Sequence, residues 1–155
     1  LRRLLDFSEK YNVPACLSVI PKHVSQEAIN KIKSIDAISI LQHGYAHNNY
    51  AKLGDPLNEF RTDRDLEIEL EEIRQGYIKL KEAFNDQILP IFVPPWNHIS
   101  SNTIKRLEEV GFIGISLIGK TIFNYNGLRN LAVQIDIHSW ETKSENSYSF
   151  VFLLV

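Results

Sequence analysis

Residues 41–50 read LQHGYAHNNY, so His43 and His47 stand four positions apart just past the apolar run SIDAISILQ. Neutral imidazole is the commonest protein ligand for zinc, and catalytic zinc sites use about three protein ligands plus a water. Rings one helical turn apart fall on one side of the backbone if the chain coils as it leaves the strand. Gly44, between them, permits a sharp turn or close approach to an ion. Taken alone, the spacing leaves two possibilities open: a metal site, or two exposed loop histidines.

A second polar group follows the run ILPIFV, where Pro94-Pro95-Trp96-Asn97-His98 leaves the strand. Two prolines restrict the backbone and aim the Trp and Asn that come next. An indole beside an amide suits stacking on, and hydrogen bonding to, a sugar ring or an acyl group. The alternative is a Trp96 that caps the core and an Asn97 that caps the helix beginning near Ser100. A third group, Asp136, His138 and Trp140, sits near the end of the late run LAVQIDIHSW. Of the five histidines only His23 lies outside these three exits, and it follows Pro21-Lys22 at the end of an earlier apolar run.

The elements that position these residues alternate in period. LRRLLDFSEKYNV suits an amphipathic helix, VPACLSVIP a short strand, and Ser25 caps a helix carrying Ala28, Ile29 and Ile32. NYAKLGDPLNEF, with Gly, Asp-Pro and Asn, is a loop. In RTDRDLEIELEEIRQGYIKLKEAF, the residues Leu66, Leu70, Ile73, Tyr77, Leu80 and Phe84 form one helical stripe. Acidic residues in its first turns and lysines in its last complement the helix dipole. Asp63, Asp65, Glu67 and Glu69 are expected to form a solvated face. SSNTIKRLEEVG is a further helix, from a Ser cap to Gly111, and FIGISLIG a further strand. With SFVFLLV at the end, six short strands and the helices between them predict an α/β fold with mostly parallel strands. In such folds chemistry gathers beyond the carboxyl ends of the strands.

Bulk properties narrow the field. A chain of 155 residues, 44% hydrophobic and 23% charged, suits one globular domain spanning 1–155. A net charge of -2 gives no electrostatic case for nucleic acid or an anionic membrane. The single cysteine, Cys16, reads as a buried small hydrophobe. No stretch reaches the roughly 18 apolar residues of a membrane span, and no signal peptide is evident. The location is open, cytoplasmic if the chain is complete. Yet it opens on Leu1 inside a helical pattern and closes on a strand-like run, so a fragment of something longer is expected.

HGYAH after a buried strand, followed by FVPPWN, resembles the polysaccharide deacetylase family (NodB-homology superfamily), and more closely its divergent HGxxH/VPPWN branch. The likeness runs from Val13 to Trp140. It implies a distorted (β/α) barrel, here partial, incomplete at the N-terminus and at the C-terminus too. It implies an enzyme that cleaves non-peptide C–N amide bonds, removing acetyl groups from N-acetylated sugars or polysaccharides, or from O-acetyl esters. The cofactor implied is a divalent metal ion, zinc for preference, held by His43 and His47. The partner implied is an acetylated carbohydrate, bound by Trp96 and Asn97 with Tyr45, Pro95 and Asp136. His138 is the nearest match to the family's general acid.

Two departures stand out. The family's opening Asp-Asp pair, which supplies a metal ligand and the catalytic base, has no counterpart in this sequence, so the fragment alone is expected to be inactive. The arginine typical of the wall motif is also absent, Val93-Pro94 standing in its neighbourhood. The alternative function is a non-catalytic carbohydrate-binding or regulatory remnant of the same fold; a third possibility is an unrelated α/β protein with loop histidines.

Overall fold

The computed structural model describes residues 2–118 and 127–131. Helix α1 (Arg2–Tyr11) leads into β1 (Ala15–Val19), α2 (Gln26–Lys33) and β2 (Ile38–His43). After a long connection come α3 (Leu66–Phe84), β3 (Ile88–Val93), α4 (Ser101–Val110), β4 (Gly114–Ile115) and β5 (Arg129–Asn130). All four pairings are parallel and the strands lie in the order β1-β2-β3-β4-β5. Each strand therefore lies beside its successor in the chain, with a helix crossing over between most pairs, and all the strand exits share one end of the sheet.

The helices start where short polar side chains can satisfy free N–H groups. Ser25 accepts from Ala28 N, Asp65 from Glu67 N and Ile68 N, and Ser100 from Thr103 N. Asn97 is thus not the cap of α4. Of the stripe on α3, Leu70, Ile73, Leu80 and Phe84 are buried. Two apolar clusters result, one of α1, α2, β1, β2 and the end of α3, the other of Phe60, Ile73, Phe92 and α4 against β4. Tyr77 packs against both and joins them.

Three expectations need correction or restriction. Glu69, expected on a solvated face, is 1% exposed, and the Thr103 hydroxyl donates to it at 2.6 Å. It faces α4, because the acidic run is longer than the solvent-facing arc of the helix. Cys16 is half-buried rather than enclosed, since among the described residues β1 has a neighbouring strand on one side only, and burial still raises its thiol pKa. The late strand of LAVQIDIHSW lies outside the described residues beyond Leu131, as do Asp136, His138, Trp140 and the SFVFLLV run. The last described strand is the short Arg129–Asn130 just before it.

Candidate metal centre

Strands β2 and β3 deliver their exits side by side, with His43 in register with Val93. The Val93 carbonyl then takes two bonds, from Gly44 N at 3.1 Å and from His43 Nδ1 at 3.0 Å. A carbonyl can only accept, so His43 carries its proton on Nδ1 and leaves the Nε2 lone pair free. This is how a metal-ligating histidine is usually held.

The turn after His43 brings the second ring back. His47 has φ +56°, in the left-handed region, and its imidazole centroid lies 5.1 Å from that of His43. The two imidazoles are thus neighbours at one strand exit, with their planes at 50°. Gly44, at φ +57°, has no alternative side chain: a Cβ there would meet Glu59 Oε2 at 2.2 Å and Pro95 Cγ at 2.6 Å.

The other wall comes from the exit of β3. Pro95 is buried, and Trp96 and Asn97 adopt φ of +54° and +59°, rare for side chains that carry a Cβ. The kink lays the Trp96 ring against His47, with centroids 4.2 Å apart and planes at 53°. Asn97 follows on the same turn and is half-buried. Tyr45 lies on the α3 side, its hydroxyl 3.5 Å from Gln75 Oε1 and its ring under Lys22. His98 takes no part; it is exposed and binds the Leu57 carbonyl at 2.8 Å.

Both imidazoles are held neutral. The pKa of His43 is lowered to about 4, chiefly by burial and next by the facing His47, against the Val93 bond that raises it. That of His47 is lowered too, first by burial and further by nearby His23, its own backbone opposing. Neutral rings with a free lone pair are what a divalent cation requires.

Three residues at this end carried no signal of their own in the sequence, or only a faint one. Glu59, 1% exposed, accepts from Ala46 N at 2.8 Å, Tyr45 N at 3.3 Å and Asn48 N at 3.4 Å. Its pKa is raised by burial, against these three bonds. Gln42, fully buried, donates to the Gly44 carbonyl and to the Ile73 carbonyl of α3, both at 3.0 Å. His23, which the sequence placed only near this rim, reaches the Ala46 carbonyl through Nε2 at 3.0 Å.

Two imidazoles fit a divalent ion in kind and in protonation, and they supply two donors. Among the described residues no group of three or more His, Cys, Asp or Glu side chains converges as a metal site. Among the described residues no helix is long and apolar enough to cross a membrane.

No protein-family model and no curated protein matches the sequence. In three dimensions the chain is similar to the crystal structure of a candidate polysaccharide deacetylase from Mycobacterium smegmatis, at 25% identity and a TM-score of 0.64. The match covers 90% of this chain and 45% of that one, so the chain spans less than half the length of this structural neighbour. The fold, a mixed α/β architecture on a parallel five-stranded sheet, is shared with part of that neighbour.

Proposed function

We propose that the chain carries the two-histidine part of a divalent-metal-dependent hydrolase that removes acetyl groups from N-acetylated or O-acetylated sugars. The observation that carries this reading is the His43–His47 pair, with the Nδ1 of His43 tied to a carbonyl and the Trp96 ring closing one side. The HGxxH and VPPWN motifs and the structural neighbour point to the same chemistry. The sequential, all-parallel strand order is what a (β/α) barrel uses, and a barrel is the architecture proposed for the whole protein.

His43 and His47 would hold the ion, zinc for preference, through their free ring nitrogens. When bound, such an ion supplies Lewis-acid polarisation of the acetyl carbonyl and a water acidified to a pKa of roughly 7. The protein's own share is orientation and exclusion of solvent. Val93 O fixes the His43 ring, and Trp96 shields His47 and offers an apolar face beside it. Asn97, Tyr45 and Pro95 are the neighbouring candidates for contact with an acetylated carbohydrate. The third ligand and the proton acceptor, which the family's Asp-Asp pair supplies, have no counterpart in this sequence; Asp136 and His138 remain the proposed substrate-binding and proton-donating groups. The test is metal content and acetate release from an N-acetylglucosamine oligomer, measured on a longer gene product that supplies the aspartate pair, with His43→Ala and His47→Ala as controls. Turnover that is lost on chelation and restored by zinc supports the reading; turnover that survives chelation and both substitutions sinks it.

One observation favours a second reading. With two convergent donors among the described residues, a carbohydrate-binding or regulatory remnant of the fold would look the same at this site. Sugar binding without zinc uptake or acetate release by the complete gene product would select it.

A further inference from the structure

We infer that Glu59 is a positioning residue, whose carboxylate shapes the turn between His43 and His47 and so presets the imidazole pair; the inference rests on the metal-centre reading above. Burying a carboxylate is costly unless its lone pairs are used. Here they are used entirely on the turn: every hydrogen bond of the Glu59 carboxylate among the described residues comes from backbone N–H groups of Tyr45, Ala46 and Asn48. Those are the residues on either side of the second histidine and in the link to the first. The turn is built to admit the carboxylate, because only a glycine at position 44 leaves room for Oε2.

The carboxylate arrives from a fixed base. The Glu59 carbonyl accepts from Arg64 Nη1 at 3.0 Å, and Arg64 is itself paired with Glu72 of α3. The next residue, Phe60, is fully buried in the core, bridges to Ile99, and its carbonyl accepts from Ser100 N at 2.9 Å. Burial of Phe60 in the core thus fixes the backbone from which the Glu59 side chain reaches the histidine turn. Acceptor oxygens on both branches of the side chain are needed for the geometry. A carboxylate offers acceptors on both oxygens, whereas an amide would set an NH2 against a backbone donor.

The experiment uses the full chain, metal-free and then with zinc, comparing the parent with Glu59→Gln. In the metal-free state, the indole of Trp96 should displace the proton resonances of the His47 ring, since the rings are in contact. Glu59→Gln should collapse that displacement and speed amide exchange at Tyr45, Ala46 and Asn48 at least tenfold, while amides of Ile73 and Leu80 keep their protection. Zinc affinity should fall by about 10- to 100-fold, the range for losing an outer-shell partner. Glu59→Asp, which keeps the charge and loses one methylene of reach, should recover part of each effect. Unchanged His47 resonances in folded Glu59→Gln overturn the inference, as does failure of both variants to fold, which would make the carboxylate a support of the whole domain. If the parent binds no zinc while the His47 resonances still respond to Glu59→Gln, the positioning role stands and the metal reading falls.

Discussion

The Trp96 indole lies against the His47 imidazole, with ring centroids 4.2 Å apart. Both residues hold positive φ, so two backbone distortions at neighbouring strand exits are spent on one contact. Anything that engages His47 must therefore be sensed by the indole. In a Trp140→Phe background Trp96 is the sole tryptophan, and adding zinc is expected to change its fluorescence. His47→Ala should abolish the response. A zinc-dependent change of equal size without His47 would place the ion elsewhere.

Gly76 and Gln42 give a second test, of stability. A glycine inside a long helix costs about 1 kcal/mol relative to alanine, so Gly76→Ala would stabilise an isolated α3. In the fold a Cβ at position 76 would meet Gln42 Nε2 at 2.6 Å and Pro21 Cγ at 2.9 Å. Gln42 cannot yield without losing its bonds to the Gly44 and Ile73 carbonyls. Gly76→Ala is expected to destabilise by about 1–3 kcal/mol, the usual cost of overpacking, when measured by urea unfolding. A gain in stability would show that Gln42 is not held as described.

How far the sequence reveals this architecture depends on whether a signal is local. The α3 stripe and the Ser25 and Ser100 caps were legible because helix period and capping chemistry act within a few residues. His43 and His47 were legible because both donors leave one strand together. Glu59 was not: it sits in a loop whose turn signals say nothing of where a carboxylate points, and its partners are defined only once the turn folds. Asn97 had two local roles open to it, and Ser100 took the cap. Glu69 looked solvated because an acidic run hides which member of it faces the neighbouring helix.

That buried Glu69 predicts a pH dependence. Its carboxyl is pushed up to about 7 from an ordinary value of 4.5, burial outweighing the Thr103 bond that lowers it. A raised carboxyl pKa means that the folded state binds more protons than the unfolded one between these two values. Stability should thus fall as pH rises from about 4.5 through 7 and level off above that. Glu69→Gln should remove this part of the slope and be the more stable protein at pH 8, by on the order of 1 kcal/mol. Urea unfolding of both proteins at pH 5, 6, 7 and 8 checks it. Parallel curves would mean that Glu69 is charged in the fold.

The last prediction concerns zinc and turnover in the 155-residue chain itself. It is expected to bind a divalent ion weakly and to release no acetate. Two imidazoles leave a tetrahedral ion with at least two open positions, whereas catalytic zinc usually keeps three protein ligands and one water. Neither imidazole carries a negative charge to offset that of the ion, and the buried Glu59 carboxylate is engaged with three backbone N–H groups of the turn. Without a positioned proton acceptor the attack of water is slower by typically about 10²–10⁴-fold from that loss alone. A longer gene product that supplies an aspartate pair should raise affinity and turnover together, because one carboxylate would complete the ligand set and the other would take the proton. Zinc content by mass spectrometry and acetate release from an N-acetylglucosamine oligomer, measured on both proteins, decide the matter. Full occupancy and turnover in the 155-residue chain would mean that its own Asp136 or His138 completes the site.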